Sequence, residues 1–165
     1  MKKVAVLIGS DSDFPAVSDT LNQLKEFCIP FEARIISAHR TPYDAERFAT
    51  NARDSGFGVI IAAAGKAAHL GGIIAAYTTL PVIGLPIKSS TMDGMDSLLS
   101  IVQMPSGVPV ASVAIGGAQN AAILAAQILG VYDESIAEKL LEFKADMAEK
   151  VRTKDKELQS KIERL

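Results

Sequence analysis

The chain has no tryptophan, a single cysteine and two histidines in 165 residues, and aromatic side chains make up 5% of it. One cysteine excludes an intrachain disulfide framework and a cysteine-based zinc site, and it fits a reducing, cytoplasmic setting. Cys28 is expected as a small buried hydrophobe. A net charge of -2 gives no electrostatic case for nucleic acid or for an anionic membrane surface. Neither G-x-G-x-x-G nor G-x-x-x-x-G-K-[ST] occurs, so the common dinucleotide and polyphosphate fingerprints are missing. One uncharged stretch, Leu70 to Ile87, has the length of a membrane span, but Gly71, Gly72, Thr78, Thr79, Pro81, Gly84 and Pro86 divide it into helix, turn and strand. Met1-Lys2-Lys3 and the short apolar run behind it are too short for a cleaved leader and read as the start of a first strand.

What is present is aliphatic: apolar residues make up 48% of the chain, enough for one domain over residues 1–165 with a real core. Val4 to Ile8, Phe31 to Ile36, Val59 to Ala63, Val82 to Leu85 and Val110 to Ile115 read as five strands. Between them lie helical patterns: Pro15 to about Cys28, Pro42 to Ser55 closed by Gly56, Ala67 to Tyr77, and Asp96 to Val102. An Ala-rich run ending near Leu129 follows the last strand. Strand and helix alternate with short connections, which predicts an α/β fold of flavodoxin-like type. A parallel five-stranded sheet would lie between two helical layers, over about residues 1–130.

Residues 131–165 contain neither glycine nor proline. Ile136, Leu140, Phe143, Met147, Val151, Leu158, Ile162 and Leu165 recur at helical spacing as a narrow stripe. A helix from Asp133 onward would be roughly 50 Å long, longer than a compact domain of this size is wide. Part of it is expected to pack on a neighbouring subunit, making the protein a homo-oligomer; the alternative is a helix that frays after Lys150.

Polar residues with chemical potential collect after the first three strands. Gly9-Ser10-Asp11-Ser12-Asp13 follows the first. Ser37-Ala38-His39-Arg40-Thr41-Pro42 follows the second, with Thr41 read as a helix N-cap and Pro42 as the first helical residue. Gly65, Lys66, Ala67, His69 and Leu70 follow the third. Both histidines fall in this set, at strand ends where open α/β sheets bind ligands. The Gly9 turn offers N–H groups and hydroxyls that suit an anion, and Arg40 can fork onto a phosphate. Asp11 and Asp13 would repel a polyphosphate, so one phosphate plus a sugar fits better, with Asp13 on the sugar hydroxyls. His39 is the natural proton carrier. His69 could be a second one, a pocket hydrogen-bonding residue or a helix-start residue. Two histidines without a carboxylate cluster make a poor metal site. Lys88-Ser89-Ser90 and the segment Ser97 to Gly107 follow strand four; the latter suits a pocket wall, a subunit contact or a surface loop.

Gly9-Ser10-Asp11-Ser12-Asp13, Ser37 to Pro42 and Ala64-Gly65-Lys66-Ala67-Ala68-His69-Leu70 resemble three signature loops of the N5-carboxyaminoimidazole ribonucleotide mutases, the PurE family of purine biosynthesis. Pro81-Val82-Ile83-Gly84, Asp96 to Pro105 and Val113 to Gly116 are similar to that family as well. The resemblance covers about residues 3 to 130. It implies a cytoplasmic octamer of flavodoxin-like subunits whose C-terminal helix reaches a neighbour, and a reaction without cofactor or metal. The carboxylate of N5-carboxyaminoimidazole ribonucleotide would move from the exocyclic nitrogen to the ring carbon, through aminoimidazole ribonucleotide and CO2. On this match His39 shuttles the proton. Ser10, Asp13 and Arg40, with Ser12 and Ser37 beside them, bind the ribonucleotide, and Gly65 to Leu70 covers the base and CO2. Ala67, Ala68 and Leu70 are expected to line a closed pocket that keeps water from the CO2.

Two positions depart from the pattern. Lys66 stands where the mutases usually carry Gly, and Gly71 where they usually carry Pro. Direct carboxylases, which join CO2 to aminoimidazole ribonucleotide, carry a basic residue at the first of these, so they form the alternative reading. Arg40 and Ala67-Ala68-His69 follow the mutase pattern. A phospho-receiver would need an aspartate at the end of strand three, where Ala63-Ala64-Gly65 stands, and a flavin carrier would need more aromatic residues in these loops.

Overall fold

The structure, a computed structural model, describes all 165 residues. Five strands, β1 (Lys3–Ile8), β2 (Phe31–Ile35), β3 (Phe57–Gly65), β4 (Val82–Ile87) and β5 (Ala111–Ser112), form one parallel sheet in the order β2-β1-β3-β4-β5. The helices are α1 (Phe14–Glu26), α2 (Pro42–Asn51), α3 (Leu70–Tyr77), α4 (Met95–Val102), α5 (Ala118–Gly130) and α6 (Glu134–Ile162). This is the flavodoxin-like arrangement expected of the sequence.

Strand periodicity assigns the two layers. Val4, Val6, Ile8, Val59, Ile61 and Ala63 face α1, α5 and the start of α6. Ala5, Leu7, Ile60, Ala62 and Ala64 face α2, α3 and α4. Residues two apart share a face, so the continuous apolar runs of β1 and β3 serve both cores. Each large aliphatic side chain buried in this way contributes about 2 kcal/mol. Alanine lets α5 sit close: Ala121, Ala122, Ala125 and Ala126 are all fully buried against the sheet and α1.

The element ends differ from the sequence-based boundaries for local reasons. β3 is longer at both ends, because β1 pairs with Phe57 at its start and β4 with Ala64 and Gly65 at its end. β5 shrinks to two residues at the sheet edge, although Val113 N–H and Gly116 N–H still reach Gly84 O and Pro86 O at 3.2 and 2.9 Å. α2 stops at Asn51, whose side-chain amide donates to Arg47 O at 2.7 Å, and the chain tightens into turns up to Gly56. β2 is an exposed edge strand, guarded by Glu32 between Lys3 at 3.2 Å and Arg34 at 2.7 Å.

Cys28 is exposed, contrary to the buried role expected of it. It is the left-handed residue (φ 55°) of a Schellman turn: Cys28 N–H donates to Lys25 O and Ile29 N–H to Leu24 O, each at 2.9 Å. That geometry turns the thiol outward and buries Ile29 against Leu24 instead.

α6 has 29 residues, about 43 Å at the usual rise. Only Ile136 on it is buried; Leu140 and Phe143 pack on the core, Phe143 edge-on to Phe27 with ring centroids 5.5 Å apart. Beyond Phe143 the helix continues intact with Met147, Val151, Leu158 and Ile162 exposed. No helix is long and apolar enough to cross a membrane.

Gly84 sets the spacing between β4 and α4, since a Cβ there would collide with Ile101 and sit 3.1 Å from Val110. Gly84→Ala is therefore expected to cost about 2 kcal/mol by overpacking. Urea unfolding measures it directly; a midpoint equal to wild type would show that α4 moves away freely.

Candidate functional site

In the order β2-β1-β3, the chain leaves β1 and β3 towards opposite faces of the sheet, so the loops behind them part and leave a crevice. A cleft of about 540 Å³ lies there. All eleven candidate residues, Ser10, Ser12, Asp13, Ser37, His39, Arg40, Gly65, Lys66, Ala67, His69 and Leu70, line it. Gly9, Ala38, Ala64 and Ile87-Lys88-Ser89-Ser90 line it too. The last four extend the site to the end of β4, the strand paired with β3; adjacency of strand ends was the available signal, but it required the strand order. The segment from Ser97 to Gly107 does not reach the cleft.

Behind β1, Ser10 caps a single 3-10 turn over Asp11–Asp13. Its Oγ accepts from Ser12 Oγ at 3.0 Å and donates to Asp11 at 3.0 Å. Behind β2, Ser37 Oγ accepts from the Arg40 N–H at 3.2 Å, and Thr41 Oγ1 accepts from Ser37 N–H at 3.0 Å. Thr41 occupies the N-cap position of α2 without a side-chain capping bond, because its hydroxyl closes this turn instead. Arg40 bridges the two loops: Nη2 donates to Gly9 O at 3.1 Å and Nε to Ser37 Oγ at 3.4 Å, which leaves Nη1 with no protein acceptor.

The loop behind β3 is two tight turns in succession, Ala68 N–H to Lys66 O at 2.9 Å and His69 N–H to Ala67 O at 2.8 Å. They bring His69 to His39: Nε2 of His39 and Nδ1 of His69 are 2.9 Å apart, with the rings edge to face at 5.0 Å. One of the two nitrogens carries the proton and the other accepts it. Ala68 turns away into the core, fully buried, and does not line the cleft. Nor is the cleft closed, since His39, Arg40, Lys66, Ala67 and His69 are all exposed in the single chain. Lys66 adopts a left-handed backbone, φ 57°, a conformation that costs an ordinary side chain about 1–2 kcal/mol. Gly71 lies in the first turn of α3, where the N–H has no acceptor within the helix.

Burial pushes the Asp13 carboxyl up, and the Asp11 charge adds to the shift, against a backbone hydrogen bond at Ser10 and the Arg40 charge. Asp11 is held low, first by its hydrogen bond from Ser10. At the far rim, Lys88 pairs with Asp93 at 2.7 Å and is held protonated by it. Ser89 donates to both Asp96 oxygens at 2.7 and 2.9 Å. No three His, Cys, Asp or Glu side chains converge into a metal-ligand set. The arrangement offers a guanidinium and hydroxyls for an anion, a carboxylate for hydroxyls and imidazole for a proton.

The fold and the cleft define a flavodoxin-like α/β protein with a candidate ligand cleft at the topological switch point. Residues 3–150 match the model of the AIR carboxylase family, and the chain belongs to that family. It is 56% identical over 156 residues to the N5-carboxyaminoimidazole ribonucleotide mutase of Pyrococcus horikoshii, spanning 94% of this chain and 88% of that one. It is 51% identical over 157 residues to the phosphoribosylaminoimidazole carboxylase of Saccharomyces cerevisiae, of which it spans 28%. The crystal structure of Treponema denticola PurE superposes with a TM-score of 0.87 at 31% identity, covering 94% of this chain and 97% of that one.

The Asp13 shift has a testable sign. A carboxyl raised by burial is protonated more readily in the folded state, so its stabilising contribution is present at low pH and lost as pH rises through the folded value. At neutral pH the Asp13 charge opposes folding. Asp13→Asn should raise Tm by about 1–2 °C at pH 7, a small gain because the group is partly solvated. The gain should vanish below the ordinary aspartate range. A variant less stable than wild type at pH 7 would contradict the burial assignment.

Proposed function

We propose that this chain is an N5-carboxyaminoimidazole ribonucleotide mutase of purine biosynthesis. The observation that carries the reading is the meeting of His39 and His69, from loops behind different strands, beside a phosphate-and-sugar type pocket built on Arg40, Ser10, Ser12, Ser37 and Asp13. High identity to relatives of that name supports it. Residues 1–165 act as one PurE-like unit.

Arg40 and the hydroxyls of Ser10, Ser12 and Ser37 hold the phosphate; Asp13 accepts from the ribose. The carbamate C–N bond breaks, its electron pair stays on the exocyclic nitrogen, and that nitrogen takes a proton as CO2 separates. The ring carbon then attacks the retained CO2, and the proton it bore must leave. His39 gives the first proton and takes the second, so the cycle returns it to its starting state. Gly65 to Leu70 holds the base and CO2. A carbamate decarboxylates readily, so the residues act chiefly by retention and proton placement.

A paired assay tests the reading: N5-carboxyaminoimidazole ribonucleotide without added bicarbonate, and aminoimidazole ribonucleotide with CO2. Fast formation of 4-carboxy-5-aminoimidazole ribonucleotide from the first alone, at low CO2, is expected. Efficient product only from the second would make the chain a direct carboxylase, the alternative that Lys66 favours. His39→Asn should lower turnover by about 10³-fold while nucleotide affinity stays within about tenfold. Unchanged turnover would remove His39 from the chemistry.

The proposed form is a cytoplasmic homo-oligomer, as an octamer in the family pattern, with the exposed stripe of α6 on a neighbouring subunit. Val151→Glu combined with Leu158→Glu should lower the mass seen in sedimentation, and a monomeric wild type would end this part of the proposal.

A further inference from the structure

We propose that Lys66 is a specificity-determining residue that binds the carboxylate of the substrate, at the end of the cleft away from the phosphate. This rests on the mutase reading and adds a second anion locus to it.

The cationic side chains on the cleft differ in how far they are committed. Arg40 is tied to Gly9 O and Ser37 Oγ, and Lys88 is paired with Asp93 at 2.7 Å. The Lys66 ammonium makes no ion pair and donates no hydrogen bond to the protein. Its backbone is unusual as well. Three non-glycine residues have φ between 55° and 57°. Cys28 ends a helix, and Asp93 sits in a turn with its carboxylate on Lys88. Lys66 O closes the tight turn with Ala68 N–H at 2.9 Å, but its side chain, unlike that of Asp93, has no partner in the chain. Gly65, which could adopt that conformation freely, stands one position earlier and does not take it. A strained residue at a site is a reason to look for a role there.

Position decides which anion Lys66 meets. The tight turns from Lys66 O and Ala67 O keep it beside His69, hence beside the His39–His69 contact where the proton moves. Arg40 leaves from β2 and Lys66 from β3, with β1 between them, so their strand ends are about 10 Å apart. A ribonucleotide bound by its phosphate at Arg40 presents its base, and the carboxylate on it, towards Lys66. The ammonium attracts the carboxylate both before and after migration, but it attracts neutral CO2 far less. Lys66 therefore strengthens binding of the two carboxylated nucleotides without easing C–N cleavage.

Three proteins test this: wild type, Lys66→Met, which keeps the stem and the left-handed backbone but not the charge, and Lys66→Arg. Affinities are measured for 4-carboxy-5-aminoimidazole ribonucleotide and for aminoimidazole ribonucleotide, with turnover of N5-carboxyaminoimidazole ribonucleotide alongside. Lys66→Met should bind the carboxylated nucleotide about tenfold more weakly and the uncarboxylated one within about twofold. Its KM should rise while kcat holds or increases, and Lys66→Arg should restore most of the affinity. If wild type turns over but Lys66→Met loses affinity for both nucleotides alike, or for neither, the Lys66 assignment falls and the mutase reading stands. If wild type binds neither nucleotide, the mutase reading falls and takes this assignment with it.

Discussion

The lateral position of β1 governs the rest of the molecule. Because β1 pairs with β2 on one side and β3 on the other, three consecutive strand ends open at one point. Residues 10, 39 and 69 reach one cleft through that placement, and the tight turns behind β3 then bring His69 to His39. The parallel register also makes β1 and β3 internal strands with a helical layer on each face, which is why their sequences are unbroken aliphatic runs. Burial of these runs thus supplies stability and aims the loops with the same residues. Gly84 and the alanines of α5 serve the same end, since they let helices approach a sheet that cannot move without displacing the loops.

Within the loops, hydrogen bonds hold the polar groups apart from one another as much as together. Arg40 spends two of its donor nitrogens on Gly9 O and Ser37 Oγ, so its planar group is fixed before any ligand arrives. Ser10 holds the Asp11 charge low and outward, whereas Asp13 sits deeper and is pushed up by burial. Two aspartates two residues apart therefore differ in kind: one is a stable surface anion, the other a carboxyl whose charge is costly until something polar meets it. A ribose hydroxyl would meet it.

The fold and the lining of the cleft were legible in the sequence because they rest on local signals. Aliphatic runs bounded by Gly, Ser, Asp and Pro mark strand ends, and strand ends mark the site. What escaped depended on pairing or on turn geometry. Lys88 to Ser90 joins the cleft through the β3–β4 pairing, which no spacing reports. Cys28 looked like core by residue type, but the Schellman turn needs an outward left-handed residue at that point and takes a cysteine for it. Thr41 looked like a cap, yet Ser37 N–H competes for its hydroxyl and wins. Ala68 sits among lining residues in sequence but faces the core, because two tight turns reverse the direction of alternate side chains.

The openness of the cleft and the bare stripe on α6 pose one physical question. The proposed reaction passes through free CO2, and a pocket with His39, Arg40 and His69 exposed would lose it to water. Meanwhile α6 holds a regular helix for some five turns past Phe143, with Met147, Val151, Leu158 and Ile162 facing nothing in the chain. An isolated helix of that kind is marginal in water, and it gains most of its stability when an apolar face is covered. Met95, Leu99 and Val102 of α4 are likewise exposed. Assembly of like chains would cover these apolar faces. The proposed chemistry asks for a shielded site and the helix asks for a partner, which is why the proposal is of an assembly rather than of a single chain.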